Sequence, residues 1–237
     1  NMTISGETID YGPCAFMEAY DPAAVFSSID RQGRYAFANQ GPIARWNLAR
    51  LAESLLPLML DDDAPEAEVE PVVAQASEII DAFPAWLDEQ WREGQRRKLG
   101  LTQVDARLAD DWLALLQRGR ADFTLAWRRL AEAREGNEAP LRALFADPAD
   151  LGDWLARWRA ACTASADELR AVNPLIIPRN HRVEEALSAA SEDGDMAACE
   201  ALLVALRRPF GEDPAQAAYA EPAPDAVTAC YRTFCGT

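Results

Sequence analysis

Histidine occurs once in the 237 residues, as His181, and none of the five cysteines (Cys14, Cys162, Cys199, Cys230 and Cys235) is spaced as CxxC. Such a chain cannot complete a zinc-finger pattern, and reduced thiols in a cytoplasm are its default reading. Basic residues are scarce as well: 23 Lys and Arg stand against 39 Asp and Glu, a formal net charge of -16. That balance argues against a general nucleic-acid surface, because phosphate binding needs a positive patch. It leaves room for a nucleotide site in which a metal bridges two negative partners. Long apolar runs are missing too; none approaches the roughly 18 residues of a membrane span. The start carries no basic n-region and no apolar h-region of a signal peptide. The expectation is a cytoplasmic protein with neither nucleic acid nor membrane as a partner.

Apolar residues make up 49% of the chain, which suffices for a sizeable core in one large domain or two small ones. Residues 2–10 read as a β-hairpin: Met2-Thr3-Ile4 and Thr8-Ile9 are β-prone, and Ser5-Gly6 supplies the turn. From Tyr11 to Gly41 the text is loop-like, punctuated by Gly12-Pro13, Asp21-Pro22, Gly33 and Gly41-Pro42. A structureless stretch of that length is often functional.

The remainder reads helical. Pro42 suits a first turn, with Ile43, Trp46, Leu51, Leu55 and Leu58 on one face. Asp61-Asp62-Asp63 interrupts the pattern as a solvated loop that caps the next helix. Val69, Val72, Val73, Ile79, Ile80 and Phe83 resume it, with Glu66, Glu68 and Glu70 early, where the helix dipole favours anions. Pro84 should kink or divide this helix, and Arg96-Arg97-Lys98 with Gly100 should close it. Further helical segments carry Leu108 to Leu116, Phe123 to Leu130, Leu151 to Cys162, Val183 to Ala190 and Met196 to Leu206. The last two are split by Asp193-Gly194-Asp195, and the tail from Pro209 looks irregular. The seven tryptophans, at helical spacing, are expected in the core. No internal repeat is visible.

The opening hairpin raises a chemical question. A hairpin sets its ends side by side, so the Asn1 amide oxygen and the Asp10 carboxylate could converge on one hard cation. Magnesium takes one or two protein carboxylates and completes its shell with water and phosphate oxygens. Protein kinases hold their metals in this way, with a catalytic-loop Asn and the Asp of D-F-G. Asp10-Tyr11-Gly12 stands where D-F-G would stand. The competing reading is a capping Asn and a turn Asp ahead of Gly12-Pro13, and spacing alone leaves both open.

A larger set of words narrows the choice. Asn1-Met2-Thr3-Ile4, Thr8-Ile9-Asp10-Tyr11-Gly12-Pro13 and Tyr20-Asp21-Pro22 open it. Asp30-Arg31-Gln32-Gly33-Arg34-Tyr35, Asn39-Gln40, Pro42 and Trp46-Asn47-Leu48 follow in order. Downstream come Arg97-Lys98-Leu99-Gly100-Leu101, Asn173-Pro174, Pro178-Arg179-Asn180-His181, Leu206-Arg207-Arg208-Pro209-Phe210 and Phe234-Cys235-Gly236-Thr237. Together they resemble the selenoprotein O (SelO/YdiU) family, over nearly the whole chain and most weakly across residues 102–170. The resemblance implies a protein-kinase-like fold that transfers AMP, not phosphate, from ATP to Ser, Thr or Tyr hydroxyls of proteins. It implies Asn1 and Asp10 as ligands of Mg²⁺ or Mn²⁺, with Asp10 also contacting ATP through the ion. The family's proposed base, an Asp just before that Asn, has no counterpart here. Its glycine-rich loop, phosphate-binding Lys and Glu partner lie in a preceding half. The chain is therefore expected to be an inactive C-terminal portion of such an enzyme.

The fold expected is mainly α. Residues 1–60 form part of a kinase-like C-lobe with the hairpin, and residues 61–237 an α-helical extension packed on it. Two rival functions remain: a non-catalytic helical binding or regulatory module, and a kinase-like phosphotransferase. Cys235 stands where some family members carry selenocysteine, which implies a redox-active thiol, with Cys14 or Cys230 as a partner; unpaired thiols are the alternative. Tyr11 and Phe16 shape a nucleotide pocket or simply pack. Arg31, Arg34 and Arg45 read as surface or structural ion pairs, and His181 as a packed or capping residue at a helix start.

Overall fold

The computed structural model describes residues 3, 5–7, 14–61 and 63–233, apart from the side chain of Cys230. The chain is mainly helical. Among the described residues the only β pairing is three isolated bridges: Ala19 with Asp122, Ser27 with Thr233 and Leu101 with Cys162. The expected hairpin over residues 2–10 and the Asp10-Tyr11-Gly12 turn lie outside the described residues.

The loop-like reading of the early chain holds for residues 14–36, which contain turns but no helix. A 3₁₀ turn over Phe37–Asn39 leads into α1, Gln40–Met59, and α2, Glu66–Leu99, follows. These two helices pack against each other. Leu60 and the following turn separate them as expected, but the N-cap of α2 is Pro65 with no side-chain cap bond. Asp61 and Asp63 therefore lie between the two helices without capping the second. Glu66 and Glu68 occupy the first turn of α2, and Arg96, Arg97 and Lys98 its last. Gly100 closes it in the left-handed region at φ 67°, where a glycine costs least.

Pro84 does not divide α2, nor does Pro71. A proline removes one intrahelical hydrogen bond, but in a helix of 34 residues the flanking turns carry the chain through.

The core lies downstream. It is built from α3 (Ala106–Gly119), α4 (Phe123–Arg128), α5 (Leu130–Arg134), α6 (Ala139–Arg142), α7 (Leu151–Ala161) and α8 (Ala166–Val172). Asp105 caps α3 by accepting from Leu108 N–H at 2.9 Å. Ser165 and Glu168 form a capping box on α8. Trp112 stacks on Trp154 at 4.3 Å between centroids, and Trp154 lies parallel to Trp158 at 6.0 Å. The Trp154 and Trp158 indoles donate to the carbonyls of Leu108 and Leu99, both at 2.9 Å. These rings seat the end of α2 against α3 and α7.

Four tryptophans are thus in the core as expected: Trp112, Trp127, Trp154 and Trp158. Trp46, Trp86 and Trp91 are exposed instead. They sit on α1 and α2, whose apolar stripes meet each other at one seam and leave the rest open. Helix α1 buries no residue at all, and α2 buries only Gln95 and Leu99. Finally α9 (Asn180–Glu192) and α10 (Ala197–Leu206) pack as a pair across Gly194. The tail is less irregular than its composition suggests, with a 3₁₀ stretch at Pro214–Tyr219 and α11 at Asp225–Cys230.

Candidate functional site

Asn1 and Asp10, the two expected metal ligands, lie outside the described residues, as do Tyr11 and Cys235. Among the described residues no cluster of three or more His, Cys, Asp or Glu side chains is placed to hold a metal. The described residues form a frame that holds the chain from Phe16 onward.

That frame begins at Phe16. Its N–H donates to Asn180 Oδ1 at 2.8 Å, and its carbonyl accepts from Asn180 Nδ2 at 2.7 Å. One side-chain amide thus satisfies both polar groups of one backbone unit, as a neighbouring strand would. Two residues on, Glu18 O accepts from Phe123 N–H at 2.7 Å, and Tyr20 N–H donates to Ala121 O at 3.1 Å. The Tyr20 ring then stacks on Phe123 at 5.1 Å and meets the edge of Phe37 at 6.0 Å.

A buried charge cluster lies beneath this pairing. Arg179 is fully buried and binds both Glu18 and Asp122 through Nη1, the Asp122 contact being 2.5 Å. Its Nη2 donates to Asp122 Oδ1 at 3.2 Å and to Ala220 O at 3.1 Å. Asp122 also caps α4, accepting from Leu125 N–H at 2.7 Å. Two carboxylates therefore share one guanidinium away from water, an excess of one negative charge if both ionise. Burial pushes the Glu18 carboxyl up to about 7, the pull of Arg179 opposes it, and the neighbouring Asp122 adds to it. Arg179 and Asn180 come from the start of α9, so one short motif grips the early chain twice.

Residues 21–39 fold over this frame. Asp30 accepts from the N–H groups of Arg34 at 2.9 Å and Tyr35 at 2.8 Å, which holds its carboxyl below the usual range. Asn39 Nδ2 donates to Gly33 O at 2.6 Å. The far end of the chain returns here: Ser28 N–H donates to Thr233 O at 3.0 Å, and Thr233 N–H to Phe26 O at 2.8 Å. Residues 231–233 therefore lie beside Phe26–Ser28. Tyr231 OH donates to Glu184 Oε1 at 3.2 Å, and burial, then Glu184, then Cys14 push its phenol up to about 12.

The remaining expected residues fall as follows. Cys14 is exposed, Cys199 half-buried and Cys162 buried, and all three are free thiols. The pairing expected of Cys235 lies outside the described residues. Phe16 lines a cavity of about 350 Å³. Arg45 pairs with Asp81, and the Arg34 guanidinium lies 4.5 Å from the Trp46 ring centroid, so both are structural surface contacts. His181 occupies the first turn of α9, half-buried, with its pKa lowered by burial. Glu18, Asp122 and Arg179 were not singled out from the sequence as a site. Their only sequence signal was the block Pro178-Arg179-Asn180-His181, which says nothing about partners 57 and 161 residues away.

The frame belongs to a chain with close relatives. Residues 1–207 match the family described as protein adenylyltransferase SelO. Proteins named protein nucleotidyltransferase YdiU match the whole chain. The one from Cereibacter sphaeroides (strain KD131) is 54% identical over 241 residues, covering 100% of this chain and 48% of its own length. That from Chromobacterium violaceum is 51% identical over 247 residues, 100% of this chain and 51% of its own. That from Rhizobium rhizogenes is 48% identical over 249 residues, again 100% and 48%. The chain spans about half the length of the relatives it matches. On this match, the chain belongs to the SelO family.

Proposed function

We propose that the chain is the portion of a protein adenylyltransferase that carries the metal-binding Asn and Asp. The activity is transfer of AMP from ATP to Ser, Thr or Tyr hydroxyls of proteins. The observation that carries this reading is the family match, which runs through Asn1 and Asp10. In this reading residues 1–60 belong to a kinase-like C-lobe and residues 61–237 to a helical extension packed on it. The Glu18–Arg179–Asp122 cluster and the Asn180–Phe16 pair support it, since they tie the early segment to the helices. Free thiols at Cys14, Cys162 and Cys199 support a cytoplasmic setting. No described helix is long and apolar enough to cross a membrane.

The donor set fits the ion. An amide oxygen from Asn1 and a carboxylate from Asp10 are hard donors, suited to Mg²⁺ or Mn²⁺ rather than zinc. When bound, the ion supplies charge neutralisation for the phosphates of ATP as negative charge builds during transfer. The chain's own contribution is position. Asn180 and Arg179 hold Phe16 and Glu18 in place, six and eight residues after Asp10 in the sequence.

The test uses a polypeptide of the relatives' full length with ATP labelled at the α or the γ phosphate. Label reaching protein from the α position, lost in Asp10→Ala and in Asn1→Ala, is the expected result. Transfer of γ label instead would establish the phosphotransferase, and no transfer of either would establish the non-catalytic helical module. An Asp10→Ala protein that still transfers α label at the parent rate overturns the metal assignment.

A further inference from the structure

Helices α1 and α2 carry apolar surface that nothing in the described chain covers. From Phe37 to Gly94 no described residue is buried. Along the seam of the two helices runs a groove of about 560 Å³. Leu51, Leu55 and Met59 wall it from α1, and Ile79, Phe83 and Trp86 from α2. Ile79 is 69% exposed and Trp86 56%. Packing of an amphipathic face supplies most of a helix's stability in a protein, and a contiguous apolar groove marks an interaction surface. The wall from Leu48 to Met59 runs about 17 Å at 1.5 Å per residue, room for about three turns of another helix.

The charge around this groove is one-sided. Over residues 40–91 eleven Asp and Glu stand against two Arg, an excess of nine within the chain's -16. Both arginines are already paired, Arg45 with Asp81 and Arg50 with Glu53. Glu78 lies one helical turn from Gln75 and Ala82 of the groove wall, and Glu89 one turn from Trp86. Neither glutamate has an ion pair among the described residues. Such a field repels a second copy of the same face and favours Lys and Arg on whatever lies there.

A separate protein that binds and leaves would strip both helices of their cover each time it left. A segment of the same polypeptide is held at high effective concentration and covers them from folding onward. The relatives are about twice as long as this chain. We propose that the groove is filled by an amphipathic helix from the half of the relatives' length that this chain does not span, with Lys or Arg flanking its apolar stripe. The inference rests on the reading of the chain as a portion of a longer protein. It adds which surface the remainder covers and what chemistry the covering segment has.

The test compares hydrogen–deuterium exchange of α1 and of the Glu66–Trp91 part of α2 in two polypeptides, the 237-residue chain and one of the relatives' full length. Exchange is expected at least about tenfold slower in the longer one. Ile79→Lys, at an exposed position, should leave the 237-residue chain unchanged and abolish the extra protection in the longer one. Continued protection of α3 and α7 reports that the core of each variant is folded. Glu78→Gln combined with Glu89→Gln should lower the extra protection at least about twofold, as the loss of two exposed charge pairs would. Equal exchange in the two polypeptides overturns the proposal, and so does a 237-residue chain that sediments as a dimer which Ile79→Lys dissociates. Extra protection that survives Ile79→Lys overturns it as well, and protection unmoved by the double glutamine variant overturns the basic flanks. The readout is independent of AMP transfer. A longer polypeptide that protects the two helices but transfers no label keeps this inference, and one that transfers α label with the helices unprotected loses it.

Discussion

The side-chain amide of Asn180 and the backbone of Phe16 form a closed pair of hydrogen bonds, 2.8 Å in one direction and 2.7 Å in the other. No other described contact in the 14–20 segment uses both polar groups of a single residue in this way. Asn180→Ala removes both partners at once from a half-buried backbone unit. The expected loss is about 1–3 kcal/mol of unfolding free energy, read from urea titration. Asn180→Asp keeps the acceptor for Phe16 N–H but faces the carbonyl with a second oxygen, so it should rescue no more than half of that loss.

The Glu18–Arg179–Asp122 cluster makes a pH prediction whose sign can be worked out. Glu18 has an ordinary value of 4.5 and is pushed up to about 7 in the fold. Between those values the folded chain holds a proton that the unfolded chain has released. The contribution of Glu18 is therefore fully present below about 4.5 and is lost as pH rises through 7, by roughly 3 kcal/mol in all. Glu18→Gln cannot titrate. The difference in stability between the parent and this variant should shift against the parent from pH 5 to pH 8 and then level off. A difference independent of pH would show that Glu18 is ionised throughout.

Two glycines with positive φ separate backbone strain from crowding. Gly194, at φ 69°, has open space where a Cβ would go. Gly194→Ala should cost about 1–2 kcal/mol, the left-handed penalty alone. Gly100, at φ 67°, would place a Cβ 2.7 Å from Ala164 Cβ and 3.0 Å from Leu169 Cδ2. Gly100→Ala should therefore lower the melting temperature clearly further than Gly194→Ala does. Equal shifts would show that Ala164 and Leu169 yield at no cost.

Burial divides the leucines just as sharply. Leu116 is wholly buried, whereas Leu58 on α1 is 81% exposed. Leu116→Ala should cost about 2–5 kcal/mol, and Leu58→Ala should stay within about 0.5 kcal/mol. Chemical denaturation of the two variants in parallel checks the contrast.

These contrasts also show what the sequence could and could not tell. The end of α2 was legible because Arg96-Arg97-Lys98-Gly100 is a local signal, read by the helix dipole and the left-handed cap. The split between α9 and α10 was legible for the same reason, at Gly194. Trp46, Trp86 and Trp91 were misread because periodicity marks an apolar face without saying whether anything covers it. The capping box of Ser165 and Glu168 was local and legible, yet went unread among many short helices. The frame after Asp10 was not legible at all. Glu18 and Arg179 are 161 residues apart, and no local pattern encodes a contact of that range.

Helix α2 has a mechanical consequence. From Trp91 back to Glu66 it runs about 38 Å at 1.5 Å per residue, without a single buried side chain along that length. Its fulcrum is the last two turns, where Gln95 and Leu99 are gripped by the core. A tilt of about ten degrees there carries the distal tip about 7 Å, by the same rise per residue. The apolar groove it shares with α1, bounded by Leu51, Leu55, Ile79 and Trp86, rides on that lever.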